Sequence, residues 1–146
     1  MEESLTFLEK IKETFSLGEI DLKTYSPLTL AFIGDAVFEL IIRTAEVAKG
    51  NRDVNSLHKS KSRIVNATVQ AKISELLLPE LTEEELAYFK RGRNAKSHTT
   101  AKNASVGDYR KATGLEALFG YLYLSGQEER MFKLTEIGLE KAGISI

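Results

Sequence analysis

Two acidic residues, Asp35 and Glu116, interrupt the most apolar stretches of this 146-residue chain. Small residues stand beside them, with Gly34 next to the first and Ala117 next to the second. An ionised carboxylate is costly to bury unless it is paired with a base or bound to a metal ion. Small neighbours let two helices approach closely and leave room for an ion. The pattern therefore predicts that Asp35 and Glu116 share a site for a divalent cation.

The cation that such a carboxylate pair favours is Mg²⁺, for which Mn²⁺ can substitute. Mg²⁺ takes one or two protein carboxylates and keeps several waters. A bound metal ion also makes a water acidic enough to attack a phosphodiester bond. The alternative for each acid is a buried salt bridge to a basic residue on another helix.

Glu39 is a weaker candidate for a third metal ligand. It lies four residues after Asp35, on the same face of a predicted helix, and Arg43 lies four residues further on. We prefer an ion pair between Glu39 and Arg43 to a third metal-binding carboxylate.

The formal net charge of −1 hides a basic segment at residues 90–111. This segment holds seven Lys or Arg residues and a single acid, Asp108, which gives it a local charge of +6. A basic segment in a nearly neutral protein indicates a polyanion that binds at one place. A solvated loop is the alternative interpretation.

The elements that must position these residues are all predicted to be helices. Sustained alternation of apolar and polar residues, which would indicate strands, is absent from the sequence, so we expect an all-α fold in a single domain, residues 1–146. Ser26-Pro27 and the capping box Thr82 to Glu85 mark two helix starts. The predicted helices cover residues 2–15, 27–49, 56–78, a stretch beginning after Thr82, 108–125 and 127–142.

The helices at 27–49 and 108–125 are apolar nearly all round, which predicts that they lie at the centre of a helical bundle, covered on all sides. The chain has no cysteine, which excludes disulfides, thiolate catalysis and zinc–sulfur sites. It has no run of about 18 apolar residues that would span a membrane, and its start does not resemble a signal peptide. We expect a cytoplasmic protein with no membrane partner.

Several motifs resemble the ribonuclease III family. Residues 31–39, Ala-Phe-Ile-Gly-Asp-Ala-Val-Phe-Glu, are similar to the family's signature helix, and residues 114–120 are similar to its second catalytic segment. Residues 58–65, 90–96 and 109–110 resemble the Mini-ribonuclease III subfamily, which consists of the catalytic domain without a double-stranded-RNA-binding domain. The resemblance covers most of the chain, with the motifs in the same order.

The resemblance implies an all-helical endonuclease domain that forms a homodimer. It implies hydrolysis of double-stranded RNA with a divalent metal, leaving 5′-phosphate ends, with Asp35 and Glu116 as the catalytic, metal-binding pair. It also implies a role in maturing the large-subunit (23S) ribosomal RNA precursor. Two acidic positions of full-length ribonuclease III are occupied here by Ala31 and Thr113, so the number of metal ions stays open.

A catalytic domain without a separate RNA-binding domain must grip RNA itself. A-form RNA is recognised mainly through its shape and its phosphates, which suits Arg and Lys contacts. The roles of His58 and Tyr109 stay open. The residues expected to bind RNA are Arg91, Arg93, Asn94, Lys96, Lys102 and Asn103 in the basic segment, and Lys59 and Arg63 in a second basic group.

Two other functions remain open from the sequence. The first is a non-catalytic double-stranded-RNA-binding module that has lost the acids at positions 31 and 113. The second is a helical interaction protein whose acids form salt bridges, an interpretation that the basic segment disfavours.

Overall fold

The computed structural model of the protein describes residues 4–96 and 104–146. Within these ranges the chain forms helices and no strands, as the sequence predicts. None of these helices combines the length and the apolar character that crossing a membrane requires. The α-helices are α1 (Phe7–Thr14), α2 (Pro27–Ala48), α3 (Val54–Ser62), α4 (Ala67–Leu77), α5 (Glu83–Asn94), α6 (Val106–Leu124) and α7 (Glu128–Lys141), with short 3-10 turns at Leu22–Thr24 and Leu78–Glu80.

Local capping explains where the long helices begin. The Ser26 hydroxyl accepts a hydrogen bond from the backbone N–H of Leu28, with Pro27 at the first helical position of α2. At the start of α5, Thr82 and Glu85 form the predicted capping box. Each cap satisfies backbone N–H groups that have no partner within the helix.

The predicted single helix at residues 56–78 is wrong. The structure divides it into α3 and α4, separated by a short turn. Asn66 makes the division, because its side chain accepts a hydrogen bond from the backbone N–H of Val69 and caps α4. An asparagine side chain competes in this way with the helical backbone, although no glycine or proline signals the break.

The first helix also begins later than predicted. Thr6 and Glu9 form a capping box, so α1 starts at Phe7 rather than at Glu2. Residues 1–3 lie outside the described residues. α1 buries none of its residues, so it adds little to the core.

α6 is the central helix, and α2, α4 and α5 pack around it. Where α2 crosses α6, the two backbones touch. A Cβ atom at Gly34 would lie 1.7 Å from the backbone oxygen of Glu116, and one at Gly120 would lie 1.9 Å from the backbone oxygen of Leu30. Only glycine fits at these two positions. The sequence predicts that the small residue beside Asp35 lets two helices approach closely, and the contact at Gly34 confirms this.

Gly114 serves a different contact. A Cβ atom there would lie 2.7 Å from the ring of Phe89 on α5, and a Cβ atom at Gly92 would lie 2.6 Å from that of Ala117. The small residues near Glu116 therefore let α5 approach α6.

The prediction that α2 is covered on all sides is wrong for this chain on its own. One face of α2 carries large apolar side chains in solvent, with Phe32 80%, Leu40 56% and Val47 59% exposed and Leu28 also exposed. We call these four residues the α2 apolar stripe. On the opposite face Phe38 packs edge-to-face on Phe119 of α6, at 5.5 Å between ring centroids.

Candidate active site

The structure brings together the two acids that the sequence singles out. Asp35 lies on α2 and Glu116 on α6, beside the point where the Gly34 position touches the Glu116 backbone. Their carboxyl groups lie close enough for one to donate a hydrogen bond to the other when it is protonated. A helix crossing that leaves no room for a side chain thus holds two carboxyl groups against each other.

The two acids are less buried than the sequence argument assumed. Asp35 is exposed and Glu116 is partly buried. The periodicity of α2 places Asp35 beside the exposed side chains of the α2 apolar stripe. Glu116 lies deeper because α6 is the central helix.

The environment of Glu116 raises its pKa from 4.5 to about 9. Burial is the largest cause, followed by the hydrogen bond to Asp35 and the negative charge of Asp35, while the Gln70 side chain lowers the pKa. Two carboxyl groups this close do not both ionise readily without a cation. The pair therefore holds a proton at neutral pH, and a divalent cation bound between the two groups would displace it.

A salt bridge does not explain either acid. In the parts of the chain that the structure describes, Asp35 and Glu116 form no ion pair with a Lys or Arg side chain. The salt-bridge interpretation is therefore not supported, and the pair fits a divalent cation, for which one or two carboxylates suffice.

Glu39 belongs to a separate network. Its Oε2 accepts from Arg43, 2.9 Å away, which confirms the predicted ion pair, and its Oε1 accepts from Lys61 on α3, 3.1 Å away. The described residues contain no group of three or more acidic or histidine side chains suited to a metal ion. Glu39 thus does not join Asp35 and Glu116 in such a group, and its two oxygens are paired with Arg43 and Lys61.

Gln70 is a residue of the site that the sequence analysis missed. It lies on α4, is 5% exposed, and faces Glu116. Its amide Nε2 has no hydrogen-bond partner. The sequence gives little signal for Gln70, which is one of several polar residues of α4 and carries no charge.

The two arginines expected to bind RNA already have contacts within the chain. Arg91 donates to the backbone oxygen of Tyr25 at 2.8 Å and lies over the Tyr88 ring at 5.4 Å. Arg93 donates to the side-chain oxygen of Asn94 at 3.2 Å and also lies over an aromatic ring of α5. Both arginines therefore stabilise the end of α5, whatever else they bind.

Other predicted RNA-binding residues are freer to meet a ligand. Lys59, Arg63 and Lys96 are exposed, and none of them forms an ion pair with another described residue. The predicted contacts at Lys102 and Asn103 lie outside the described residues.

Comparison with known proteins agrees with this geometry. The family model of the ribonuclease III domain matches residues 28–127, a range that includes both acids. The chain belongs to the ribonuclease III family. The resemblance seen in the sequence motifs is thereby confirmed.

Its relatives place it more narrowly within that family. The chain is 52% identical over 111 residues to the Mini-ribonuclease 3 of Brevibacillus brevis, covering 76% of this chain and 83% of the relative. It is 47% identical over 141 residues to the Mini-ribonuclease 3 of a Thermoanaerobacter species, covering 96% and 97%. A crystal structure of a Fusobacterium nucleatum protein superposes with a TM-score of 0.76 at 35% identity, covering 84% of this chain and 99% of that one.

Proposed function

We propose that this protein is a metal-dependent endoribonuclease that hydrolyses double-stranded RNA and leaves 5′-phosphate ends. The observation that carries the proposal is the Asp35–Glu116 pair, two neighbouring carboxyl groups at a helix crossing that form no ion pair with a Lys or Arg side chain among residues 4–96 and 104–146. Membership of the ribonuclease III family and the similarity to Mini-ribonuclease 3 support it.

Asp35 and Glu116 would hold Mg²⁺, or Mn²⁺ in its place. The bound ion would supply positive charge to the phosphate and lower the pKa of a coordinated water. Within the chain, Glu116 must release its proton to serve as a ligand, while the exposed Asp35 lies where an RNA backbone can reach it. Because metal binding releases this proton, the affinity for the metal ion should increase with pH.

RNA would be gripped by contacts to its phosphates and by its A-form shape. The exposed Lys59, Arg63 and Lys96 are suited to phosphate contacts, and Lys102 and Asn103 are proposed to join them. Arg91 and Arg93 would contribute positive charge from positions already fixed on α5. Such contacts set the register of the duplex without reading its sequence.

The working form would be a homodimer in which each subunit supplies one Asp35–Glu116 pair and cuts one strand. The α2 apolar stripe supports this form, because several large apolar side chains exposed along one helix are typical of an interaction surface. A second copy of the chain would cover the stripe and place two sites on one duplex.

The proposed substrate is the precursor of 23S ribosomal RNA, and the proposed location is the cytoplasm. The resemblance to the Mini-ribonuclease III subfamily supports both. Incubation with a duplex formed by the precursor's ends, beside an unrelated duplex of equal length, tests the substrate. Equal cleavage of the two would count against a dedicated precursor.

The decisive experiment compares the parent protein with Asp35→Asn on a long duplex RNA in Mg²⁺, with EDTA as a further arm. We expect cleavage by the parent, its loss in EDTA, and a reduction of at least about 100-fold in Asp35→Asn, because a metal ligand is removed. Glu39→Gln is the matched control, since it removes an acid from the same helix that lies outside the pair; it should retain cleavage.

A non-catalytic double-stranded-RNA-binding module is the second candidate. The absence of acids at Ala31 and Thr113 favours it: both residues are buried, and the Thr113 hydroxyl donates to the backbone oxygen of Tyr109 at 3.0 Å. Under this function the duplex would be retarded in a gel yet stay intact with Mg²⁺ or Mn²⁺ present.

A further inference from the structure

Gln70 is an amide buried without a partner in the middle of the fold. It is 5% exposed, and its Nε2 donates no hydrogen bond. Burying an unpaired amide N–H is unfavourable, because its hydrogen bond to water is lost without replacement. Other buried polar side chains of the same helix do not show this defect, since the Ser74 hydroxyl donates to the backbone oxygen of Ala71 at 2.7 Å.

An acceptor, the Glu116 carboxyl group, lies beside Gln70. Gln70 lies on α4, which packs directly against α6, and its side chain faces the Glu116 carboxyl group. Gln70 lowers the pKa of Glu116 and so favours its ionised form. This is the effect expected of an N–H donor directed at a carboxylate oxygen. The Gln70 amide and the Glu116 carboxyl group are therefore neighbours on two packed helices.

The Glu116 carboxyl group is also the neighbour of the Asp35 carboxyl group. When both acids turn toward a shared cation, the hydrogen bond between them is lost. Because a carboxylate has two oxygens, Glu116 can then hold the cation with one and accept from the Gln70 amide with the other. Carboxylates that hold metal ions are commonly fixed in this way by hydrogen bonds from neighbouring side chains.

We propose that Gln70 is a positioning residue whose amide N–H holds the Glu116 carboxylate in the orientation that metal binding requires. This inference rests on the proposed function, because it assigns Gln70 a part in building the same site. In this assignment Gln70, which is buried, acts through Glu116 and does not itself contact the metal or the RNA.

The test uses Gln70→Met, which keeps the length of the side chain and removes the amide. Mn²⁺ binding is measured by isothermal titration calorimetry, and cleavage of a duplex RNA is followed as a function of Mn²⁺ and of RNA concentration. We expect the Kd for Mn²⁺ to rise about 10–100-fold, while the KM for RNA at saturating Mn²⁺ stays within about twofold. Ser74→Ala, which removes a satisfied buried polar group one turn away, is the matched control and should change neither value.

Thermal unfolding in EDTA separates positioning from a structural role. Gln70→Met should unfold at the same temperature as the parent or higher, because an unpaired buried amide is removed. Gln70→Leu is measured in parallel as a second apolar replacement. If both variants fail to fold, the amide serves the core and the inference is overturned.

The outcomes separate the inference from the function beneath it. A folded Gln70→Met with an unchanged Mn²⁺ Kd, beside a parent that binds Mn²⁺ and cleaves RNA, overturns the inference alone. A parent that neither binds Mn²⁺ nor cleaves overturns the proposed function and this inference with it.

Discussion

At the level of single residues, the pKa of Glu116 governs how the site behaves without metal. Burial and Asp35 raise that pKa to about 9, whereas the same group in the unfolded chain titrates near 4.5. A group with a raised pKa stabilises the fold fully below its unfolded value, and this stability is lost as the pH rises toward its folded value. The metal-free protein should therefore lose stability between about pH 4.5 and pH 9.

Glu116→Gln should remove this loss, since an amide stays neutral at every pH. In EDTA at pH 8 we expect the variant to be more stable than the parent by roughly 1–3 kcal/mol, and the difference should vanish near pH 4. Urea unfolding across this pH range measures it. Mg²⁺ should reverse the order by stabilising the parent alone.

Glu140→Gln, the same substitution at an exposed position of α7, serves as the control. A pH-independent difference between the parent and Glu116→Gln would contradict the shared proton.

At the level of elements, the crossing of α2 and α6 sets the spacing of the two acids. Gly34→Ala would push a methyl group onto the backbone oxygen of Glu116. Overpacking of this kind costs roughly 1–3 kcal/mol, and the rigid backbone partner puts the cost at the upper end. We also expect cleavage to fall, because the acids move apart. Denaturant unfolding and a cleavage assay measure the two effects.

Gly107→Ala is the matched control for this prediction. Gly107 lies in the first turn of α6, and the nearest atom to its Cβ position is 3.9 Å away. Alanine there should be neutral or stabilise the fold by up to about 1 kcal/mol. Equal stability of the two variants would show that the helices separate easily.

The sequence predicts those elements whose boundaries depend on strong local signals. Ser26-Pro27 and the capping box at Thr82 give the starts of α2 and α5 correctly. The break at Asn66 was missed, because asparagine occurs within helices as well as at caps, and only the contacts of α3 and α4 decide between the two. The exposure of Asp35 was also not predicted. Helical periodicity shows on which face of α2 a residue lies, but it does not show whether another helix packs on that face.

The candidate site could be predicted only in part for the same reason. Asp35 and Glu116 stand out as acids within apolar stretches, so the sequence identifies them without a structure. Gln70 carries no charge. It stands out only because its buried amide N–H lacks a hydrogen-bond partner, which a sequence pattern cannot show. The second cationic partner of Glu39, Lys61, comes from a helix distant in sequence, and long-range pairs of this kind need the fold.

At the level of the whole molecule, the α2 apolar stripe predicts association. We expect the parent to sediment as a dimer and Phe32→Glu to sediment as a monomer, because burying an unpaired charge in an apolar interface is costly. Val106→Glu, which changes an exposed apolar residue outside the stripe, should leave the dimer intact. A monomeric parent would contradict the proposed assembly.

The basic segment predicts RNA binding that weakens steeply with salt. We expect the affinity of Asp35→Asn for duplex RNA to fall linearly on a log–log plot against salt, with about one unit of slope lost when Lys96 is also changed to Ala. Filter binding between about 50 and 200 mM salt measures the slope. Lys133→Ala on α7 should not change it, and an affinity independent of salt would remove the basic segment from RNA binding.

The backbone contact between α2 and α6 has a consequence for how this chain can change over time. A distance fixed by two touching backbones does not shift when buried side chains elsewhere are exchanged for others of similar volume. The spacing of Asp35 and Glu116 is therefore insulated from sequence drift at core positions such as Phe38. Many buried residues can therefore be substituted, in evolution or in engineering for heat tolerance, as long as Gly34 and Gly120 are retained.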